Sequence, residues 1–341
     1  MDPLTAVAFA RELIDIDSTT GQEADAGRWL AARLRGLGYT VTEQPVAGDR
    51  FNVLATLEAP DVVLSTHYDC VPPFFPSREA DGVLYGRGAC DAKGILAAQV
   101  AAAERLRAAG NTRVGLLFVV GEERGSEGAT VANQSPPGSR FLVNGEPTDS
   151  MLATGTRGIL RVRLHAQGRA GHSSAPEHFE SAIEKLIDAL VQLRSLPLPS
   201  DPVFGDTSYS VGLISGGVAP NVVPAEAQAE VMFRIVGDAD DVLAVVKRLE
   251  PLVEVEDVLR VPPVRLHTIP GIPSRSFPFT TDIPLLDRWG VPLLFGPGSF
   301  LLAHTDDEHL TLAEFESSIH RYVSIVAALG GPSPCVPGTQ R

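Results

Sequence analysis

Three short stretches in the first half of the sequence carry side chains of the kinds that bind metal ions. They are Ser-Thr-His-Tyr-Asp at residues 65–69, Gly-Arg-Gly-Ala-Cys-Asp-Ala-Lys-Gly at 86–94 and Gly-Glu-Glu-Arg-Gly-Ser at 121–126. Each places a histidine or a carboxylate just after an apolar run or just before a helical pattern. A buried imidazole or carboxylate is costly unless another group pairs with it. Several of them at the ends of strands therefore indicate one cation site at the edge of a sheet.

Each of these candidate ligands also has an ordinary structural explanation. His67 with Asp69 is a common spacing that is equally typical of a solvated turn. Asp91 stands between a glycine-rich turn and a helical segment, where aspartate usually caps the helix. Glu122 and Glu123 follow the most apolar run of the chain and could be solvated loop charges. Because adjacent residues point different ways, one of them could instead bind a metal while the other handles a proton.

Two later residues extend the set. Glu146 lies in Asn-Gly-Glu-Pro-Thr at 144–148, after a third apolar run. His304 lies near the end of the chain, after the turn-rich Gly-Pro-Gly-Ser at 296–299. Both repeat the pattern of a candidate ligand that follows a strand or a turn, although neither is decisive alone.

The elements that must position these residues follow an alternating pattern of strands and helices. Continuous apolar runs, typical of strands buried on both faces, occupy residues 62–65, 114–120 and 141–143. An alanine-rich helix is predicted over 93–109, directly after Asp91. In open α/β sheets, functional sites lie beyond the carboxyl ends of the strands, which is where these candidate ligands fall.

The pattern changes after Gly158. Residues 159–166 alternate apolar and polar side chains, as a half-exposed antiparallel strand does, and a βαββαβ pattern continues to about residue 265. We therefore predict an α/β fold with a mixed-sheet catalytic domain formed by residues 1–157 and 266–341. An α+β domain formed by residues 158–265 is inserted into it.

Length and composition limit the classes of function. A chain of 341 residues is about right for two domains. The net charge of −14 argues against nucleic acid or an anionic membrane as a partner. No apolar run approaches about 18 residues, so no membrane span is expected. The first residues lack a basic, apolar signal sequence, which predicts a cytoplasmic protein.

Three sparse cysteines, Cys70, Cys90 and Cys335, imply no disulfide framework. The first two are expected to pack as small hydrophobic residues.

The ordered set of motifs resembles one family closely. His67-x-Asp69, Gly-Arg-Gly-x-x-Asp91, Glu-Glu, Gly-Glu-Pro, Gly-His172-Ser-Ser and the late His304 follow one another as in the di-zinc aminoacylase and peptidase superfamily. The nearest branches are acetylornithine deacetylase and succinyl-diaminopimelate desuccinylase. The resemblance spans nearly the whole chain. It implies that the inserted domain is the lid, or dimerisation, domain of that family.

The resemblance implies a set of metal ligands. Asp91 would bridge two zinc ions, for which cobalt could substitute. His67 and Glu146 would complete one site, and Glu123 and His304 would complete the other. Histidine and carboxylate ligands suit zinc or another borderline divalent ion.

The resemblance also implies catalytic and substrate-binding roles. Asp69 would support His67, Glu122 would be the general base and acid, and His172 would stabilise the oxyanion, in some members across a dimer interface. The peptide bond between Asp91 and Ala92 is expected to be cis. The candidate substrate-binding residues, which would recognise a carbonyl or a carboxylate, are Arg157, Asn221, Arg234 and Gly298.

The expected reaction is metal-assisted hydrolysis of the amide bond of an N-acyl amino acid or a short peptide. The leading hypothesis is a homodimeric enzyme like acetylornithine deacetylase, acting in amino-acid (arginine) biosynthesis. The alternatives are a hydrolase that releases lysine or ornithine from a carrier protein, a succinyl-diaminopimelate desuccinylase, and a di- or carboxypeptidase. A catalytically inactive binding module is disfavoured, because all five ligand positions and the base are intact.

Overall fold

The computed structural model describes residues 3–330. The sequence also predicts a helix N-cap at Asp2 and a frayed tail at 332–341, and both lie outside this range, as does Cys335. No helix among the described residues is long and apolar enough to cross a membrane.

The chain forms seven α-helices and twenty strands within the described range. The helices are α1 (Pro3–Ile14), α2 (Ala24–Gly36), α3 (Lys93–Ala108), α4 (Glu127–Ala132), α5 (Ala182–Leu193), α6 (Ala239–Val246) and α7 (Leu312–Leu329). The strands are β1 (Thr40–Ala47), β2 (Arg50–Thr56), β3 (Val62–His67), β4 (Arg78–Ala80), β5 (Val83–Tyr85), β6 (Val114–Val119), β7 (Phe141–Asn144), β8 (Leu152–Thr156), β9 (Gly158–Gln167), β10 (Gly171–His172), β11 (Ser200–Asp201), β12 (Gly205–Asp206), β13 (Ser208–Gly216), β14 (Val222–Val223), β15 (Glu226–Ile235), β16 (Glu254–Val261), β17 (Val264–Arg265), β18 (Ser274–Phe277), β19 (Val291–Leu294) and β20 (His309–Thr311).

Two compact units divide the chain. The first comprises the residues up to Thr154, Leu266–Arg275 and the residues from Thr281 onward. The second comprises Gly155–Arg265 and Ser276–Thr280. We refer to them as the catalytic unit and the inserted unit.

A six-stranded mixed sheet forms the centre of the catalytic unit, in the order β1-β2-β6-β3-β7-β19. The strands β6, β3, β7 and β19 run parallel to one another, whereas β1 and β2 are antiparallel to their neighbours. The predicted mixed sheet is therefore confirmed. Parallel strands bring their carboxyl ends to the same edge of a sheet, so β3, β6 and β7 deliver the residues that follow them to one place.

Both faces of this sheet are covered, which explains the continuous apolar runs. Along β3, Val62 and Leu64 pack into one core with residues of α1, α2, α3 and α7. Val63 points the other way, into a second core that contains Ala129 of α4 and the fully buried Trp289. Alternating strand residues face opposite sides of a sheet, so the part of β3 that lies between the two cores, residues 62–64, is apolar at successive positions.

The inserted unit is a four-stranded antiparallel sheet, in the order β13-β15-β9-β16, with α5 and α6 packed against it. In chain order its main elements are β9, α5, β13, β15, α6 and β16, so the predicted βαββαβ pattern is confirmed. Along β9, buried residues alternate with partly buried ones. The buried side chains form a core with the helices that is separate from the two cores of the catalytic unit.

The sequence pattern missed several short elements. The sequence pattern predicts a strand end at 277–281, but the strand found there, β18, ends at Phe277 and shares only that residue with the prediction. The three-stranded sheet β20-β5-β4 was not predicted. Its strands have only three residues each, too few for a periodic pattern.

Candidate active site

Asp91 is the centre of the candidate site, because its two carboxylate oxygens face two different groups of side chains. The Nε2 atom of His67 lies 3.0 Å from Oδ1 of Asp91, and the Nε2 atom of His304 lies 3.4 Å from Oδ2. The two histidines hold the pKa of Asp91 below its ordinary value, although burial acts to raise it. Asp91 is not the N-cap of α3, because that position is occupied by Ala92.

On the Oδ1 side, His67 ends β3 and Glu146 follows β7. The Nε2 atom of His67 is 3.9 Å from Oε2 of Glu146, and both side chains are almost completely buried. The burial of His67 excludes the solvated-turn alternative. Burial, reinforced by repulsion from Glu122, raises the pKa of Glu146 well above its ordinary value.

On the Oδ2 side, Glu123 follows β6 and His304 lies in the loop before β20. The Nε2 atom of His304 is 2.9 Å from Oε1 of Glu123. The hydrogen bonds to Asp91 and Glu123 raise the pKa of His304 to about 10. His304 has a positive φ of 66°, a conformation uncommon outside glycine, and its side chain is half-exposed.

Asp69 connects His67 to the dipeptide Glu122–Glu123. Its Oδ1 atom lies 3.5 Å from Nδ1 of His67 and accepts the backbone N–H of Glu122 at 3.1 Å. Its Oδ2 atom accepts the backbone N–H of Glu123 at 3.2 Å and the hydroxyl of Thr20 at 2.9 Å. The Nδ1 atom of His67 lies 3.0 Å from the backbone carbonyl oxygen of Asp69, which is closer than the carboxylate. Asp69 therefore orients the imidazole mainly through its backbone, which leaves Nε2 directed at Asp91, and its buried carboxylate fixes the backbone of both acids.

Glu122 differs from the other acids of the site in the contacts of its carboxylate. Within the described residues its carboxylate makes no hydrogen bond or ion pair, whereas that of Glu123 contacts His304. Burial raises the pKa of Glu122 well above its ordinary value, and the neighbouring carboxylates of Asp282, Glu123 and Asp91 add to the rise. An acid in this state holds a proton readily, as a proton carrier must.

The donor set fits a divalent metal ion. The ligand atoms of His67, Asp91 and Glu123 lie within 4.8 Å of one another. The Oε1 atom of Glu146 is buried and has no hydrogen-bond partner among residues 3–330. Carboxylates outnumber histidines here, and a buried excess of negative charge is stable only when a cation compensates it. Imidazole and carboxylate donors are those that zinc accepts.

Close backbone packing surrounds Asp91. The peptide bond between Asp91 and Ala92 is cis, as predicted. Gly298 has a positive φ of 76°, and a Cβ atom there would lie 2.6 Å from Sγ of Cys90. This contact gives Gly298 a packing role, and its predicted role in substrate binding stays a prediction. Cys90 and Cys70 are both buried, as predicted, and burial raises the pKa of the Cys70 thiol to about 12.

Four predicted residues belong to the inserted unit. His172 is exposed on β10 and pairs with Val222, next to Asn221. The guanidinium of Arg157 donates to the carbonyl of Phe204 at 2.7 Å.

Arg234 lies on β15 and donates to the hydroxyl of Thr280 at 3.2 Å. Burial lowers the pKa of Arg234, and none of its hydrogen bonds within the described range goes to a carboxylate. A partly buried arginine without an acidic partner suits a bound carboxylate.

Two buried acids of the catalytic unit escaped the sequence reasoning. Asp282 has one carboxylate oxygen without a hydrogen-bond partner, and burial raises its pKa to about 6. Glu308, which was not predicted as a site residue, accepts backbone N–H groups of the loop that carries Asp91. The one available signal was an acid placed four residues after His304 and two residues before Leu310.

The chain matches two peptidase models and resembles curated proteins along most of its length. Residues 154–258 match the peptidase dimerisation domain, and residues 52–192 match peptidase family M28. A protein of Aspergillus clavatus named probable carboxypeptidase is 36% identical, over 94% of this chain and 82% of that protein. A peptidase M20 domain-containing protein of Schizosaccharomyces pombe is 35% identical, over 94% of this chain and 84% of that protein.

Solved structures share the fold. The aminopeptidase PepT of Bacillus cereus has a TM-score of 0.81 at 19% identity, over 97% of this chain and 100% of that chain. An M20 family metallo-carboxypeptidase of Sulfolobus solfataricus has a TM-score of 0.74 at 16% identity, over 96% of this chain and 99% of that chain. The resemblance inferred from the motifs is thus confirmed: the chain belongs to the M20 peptidase family of the di-zinc aminoacylase and peptidase superfamily and is a metal-dependent hydrolase.

Proposed function

We propose that this protein is a zinc carboxypeptidase that hydrolyses the last amide bond of short peptides. The observation that carries this proposal is the similarity, at 35–37% identity over about 94% of the chain, to several proteins named probable carboxypeptidases. The intact donor set around Asp91 supports it. The di- or carboxypeptidase alternative is therefore preferred to acetylornithine deacetylase, for which the relatives' names give no support.

The proposed metal site holds two zinc ions that share Asp91. The support is geometric, because each oxygen of Asp91 faces its own histidine and each histidine faces its own glutamate. His67 and Glu146 would hold one ion, and His304 and Glu123 the other. Divalent ions at such a site supply Lewis-acid chemistry, since they polarise a carbonyl group and make water more acidic.

Glu122 is the proposed proton carrier of the reaction. Its carboxylate accepts a proton from the attacking water as the oxygen–carbon bond forms at the scissile carbonyl. It then donates that proton to the amide nitrogen as the carbon–nitrogen bond breaks, so that the amino acid leaves as a neutral amine. Asp69 holds the Glu122 backbone in place during both transfers.

Residues of the inserted unit are the proposed substrate-binding groups. Arg234 would bind the terminal carboxylate of the peptide, because a guanidinium pairs with both oxygens of a carboxylate. Arg157 and Asn221 would contribute polar contacts. His172 would donate a hydrogen bond to the developing oxyanion.

A panel of blocked peptides tests this assignment. An N-acetylated tripeptide with a free carboxyl terminus is expected to be cleaved, whereas the same tripeptide with a terminal amide should be a poorer substrate. We expect a difference of about 10²-fold in kcat/KM, because loss of one partner of a buried charge pair costs about 2–5 kcal/mol. The release of the terminal amino acid is measured by chromatography, with zinc and with cobalt.

The panel also contains N-acetylornithine, an N-succinyl amino acid and a γ-glutamyl amino acid. Rapid hydrolysis of N-acetylornithine, without cleavage of the N-acetylated tripeptide that has a free carboxyl terminus, would favour the deacetylase hypothesis over the carboxypeptidase hypothesis. Cleavage of unblocked but not N-acetylated tripeptides would indicate an aminopeptidase instead.

A homodimer formed through the inserted unit is part of the proposal. Strand β13 is at the edge of its sheet, and large apolar side chains on it are exposed, including Leu213 at 65% and Ile214 at 62%. Helix α5, which packs over β9 and β15, exposes Ile187 and Val191. An exposed apolar edge strand is a template for pairing with another chain, and the match to a dimerisation domain favours a second copy.

Replacement of Ile214 by aspartate is expected to weaken this dimer about 10-fold or more. Burial of an isoleucine contributes about 1.5–3 kcal/mol, and 1.4 kcal/mol corresponds to tenfold in affinity. Sedimentation velocity over a concentration series measures the change. Leu285→Asp, at an exposed apolar residue of the catalytic unit, is the matched control and should leave the dimer intact. A wild-type protein that sediments as an active monomer would contradict the proposed homodimer.

A further inference from the structure

Glu308 is a fully buried carboxylate whose two oxygens are both occupied. Its Oε2 atom lies 2.6 Å from Nη1 of Arg87, which is also buried. Its Oε1 atom accepts three backbone N–H groups, from Gly88 at 2.9 Å, Cys90 at 3.1 Å and Asp91 at 3.0 Å. The ion pair and the three N–H donors offset the cost of burying this carboxylate, although burial still raises the pKa of Glu308 above its ordinary value.

These donors have one feature in common, which is that they belong to the turn that carries Asp91. Residues 86–92 lie in neither a helix nor a strand, so regular secondary structure does not hold them. Gly86 and Gly88 have φ values of 146° and 94°. Because glycine adopts many backbone conformations, the turn has little intrinsic preference for the conformation seen here. The carboxylate of Glu308 supplies the hydrogen-bond acceptor that a neighbouring strand would otherwise provide.

Glu308 also belongs to the segment that carries His304. It is 217 residues from Asp91 in sequence but only four from His304. The backbone N–H of Gly86 donates to the carbonyl of Glu308 at 3.2 Å, which adds a second contact between the two segments. The guanidinium of Arg87 donates from Nε to the carbonyl of Pro73 at 3.2 Å and so fixes the other side of the turn.

We infer that Glu308 is a positioning residue that fixes the backbone of Asp91 relative to the segment that carries His304. It thereby sets the metal affinity of the site. Among the described residues its carboxylate makes no hydrogen bond or ion pair with the side chains of His67, Glu123, Glu146 or His304, so it acts through the backbone of Asp91. This inference rests on the proposed function, because it takes Asp91 and His304 as metal ligands.

The test compares the metal affinity of Glu308→Gln with that of the wild type. Glutamine keeps one oxygen for the N–H groups but loses the charge and turns an N–H donor toward Arg87. We expect zinc affinity, measured by competition with a chelator, to fall about 10–100-fold, as for other groups that orient metal ligands. We also expect the visible absorption of the cobalt-substituted enzyme to change. At saturating zinc, kcat should fall while KM changes little.

Asp307→Asn is the matched control, because Asp307 is the adjacent acid and its side chain is 79% exposed. It should bind zinc as the wild type does. Arg87→Lys, which keeps the ion pair with Glu308 but loses the planar fork, is a milder second variant and should lower zinc affinity by a smaller factor. It provides the measurement if Glu308→Gln does not fold.

Two outcomes separate this inference from the proposed function. If Glu308→Gln and Arg87→Lys bind zinc as tightly as the wild type and lower only the Tm, Glu308 is merely structural and the inference is overturned. If Asp91→Asn also binds zinc with unchanged affinity, the proposed metal site itself is wrong.

Discussion

Replacement of Glu122 by glutamine is expected to lower kcat about 10²–10⁴-fold without loss of bound metal. This is the range that a positioned acid or base contributes to a reaction. Glutamine preserves the size of the side chain, and the backbone N–H of residue 122 can still donate to Asp69. The amide cannot accept a proton from water, however, so only the proton transfer is removed.

The neighbouring acid provides the matched control for this experiment. Glu123 is held by the same carboxylate, through its own N–H, but its side chain contacts His304. Glu123→Gln should therefore lower metal affinity, whereas Glu122→Gln should not. Steady-state kinetics at saturating zinc and metal analysis after gel filtration distinguish the two variants. If Glu122→Gln retained the wild-type kcat, the assignment of the proton carrier would be wrong.

Removal of the metal is expected to abolish turnover, by about 10³-fold or more. Lewis-acid stabilisation contributes several kcal/mol, and each 1.36 kcal/mol is tenfold in rate. Dialysis against a chelator should give an inactive protein that regains activity when zinc or cobalt is added. Asp91→Asn should not be rescued in this way at zinc concentrations that saturate the wild type, because both proposed ions share this carboxylate.

The number of metal ions bound per chain is the critical measurement for the prediction on metal removal. Two ions per chain in the active wild type are expected, and a fully active protein with one ion would contradict the shared role of Asp91. Asp61→Asn is the control substitution. Asp61 pairs with Arg113 at the surface, so its loss should change neither stoichiometry nor rate.

The central strands and the candidate ligands could be predicted because their signals are local. Strand β3 lies between two cores and is apolar at successive positions, which a short window of sequence reveals. His67 and Glu146 follow such strands directly. Their grouping around Asp91 could be expected because parallel strands end at one edge and because the motifs occur in a family order.

The remaining contacts could not be predicted because their partners are distant in sequence. Glu308 is satisfied by N–H groups 217–220 residues away, and an isolated Asp-Glu pair has no local pattern that indicates this. Asp282 precedes a short turn of helix, where an acid is an ordinary N-cap, yet its side chain makes no capping bond. The expected cytoplasmic location stays a prediction.

The longer segment of the inserted unit, Gly155–Arg265, begins and ends at neighbouring strands, since Thr156 of β8 pairs with Val264 of β17 and Gly155 pairs with Arg265. The chain thus enters and leaves this segment at one point, and the unit has a core of its own. All five proposed metal ligands lie outside it. The segment therefore has the properties of an exchangeable cassette: chimaeras that carry the corresponding segment of a relative would alter substrate choice and subunit pairing while every residue of the metal centre stays in place.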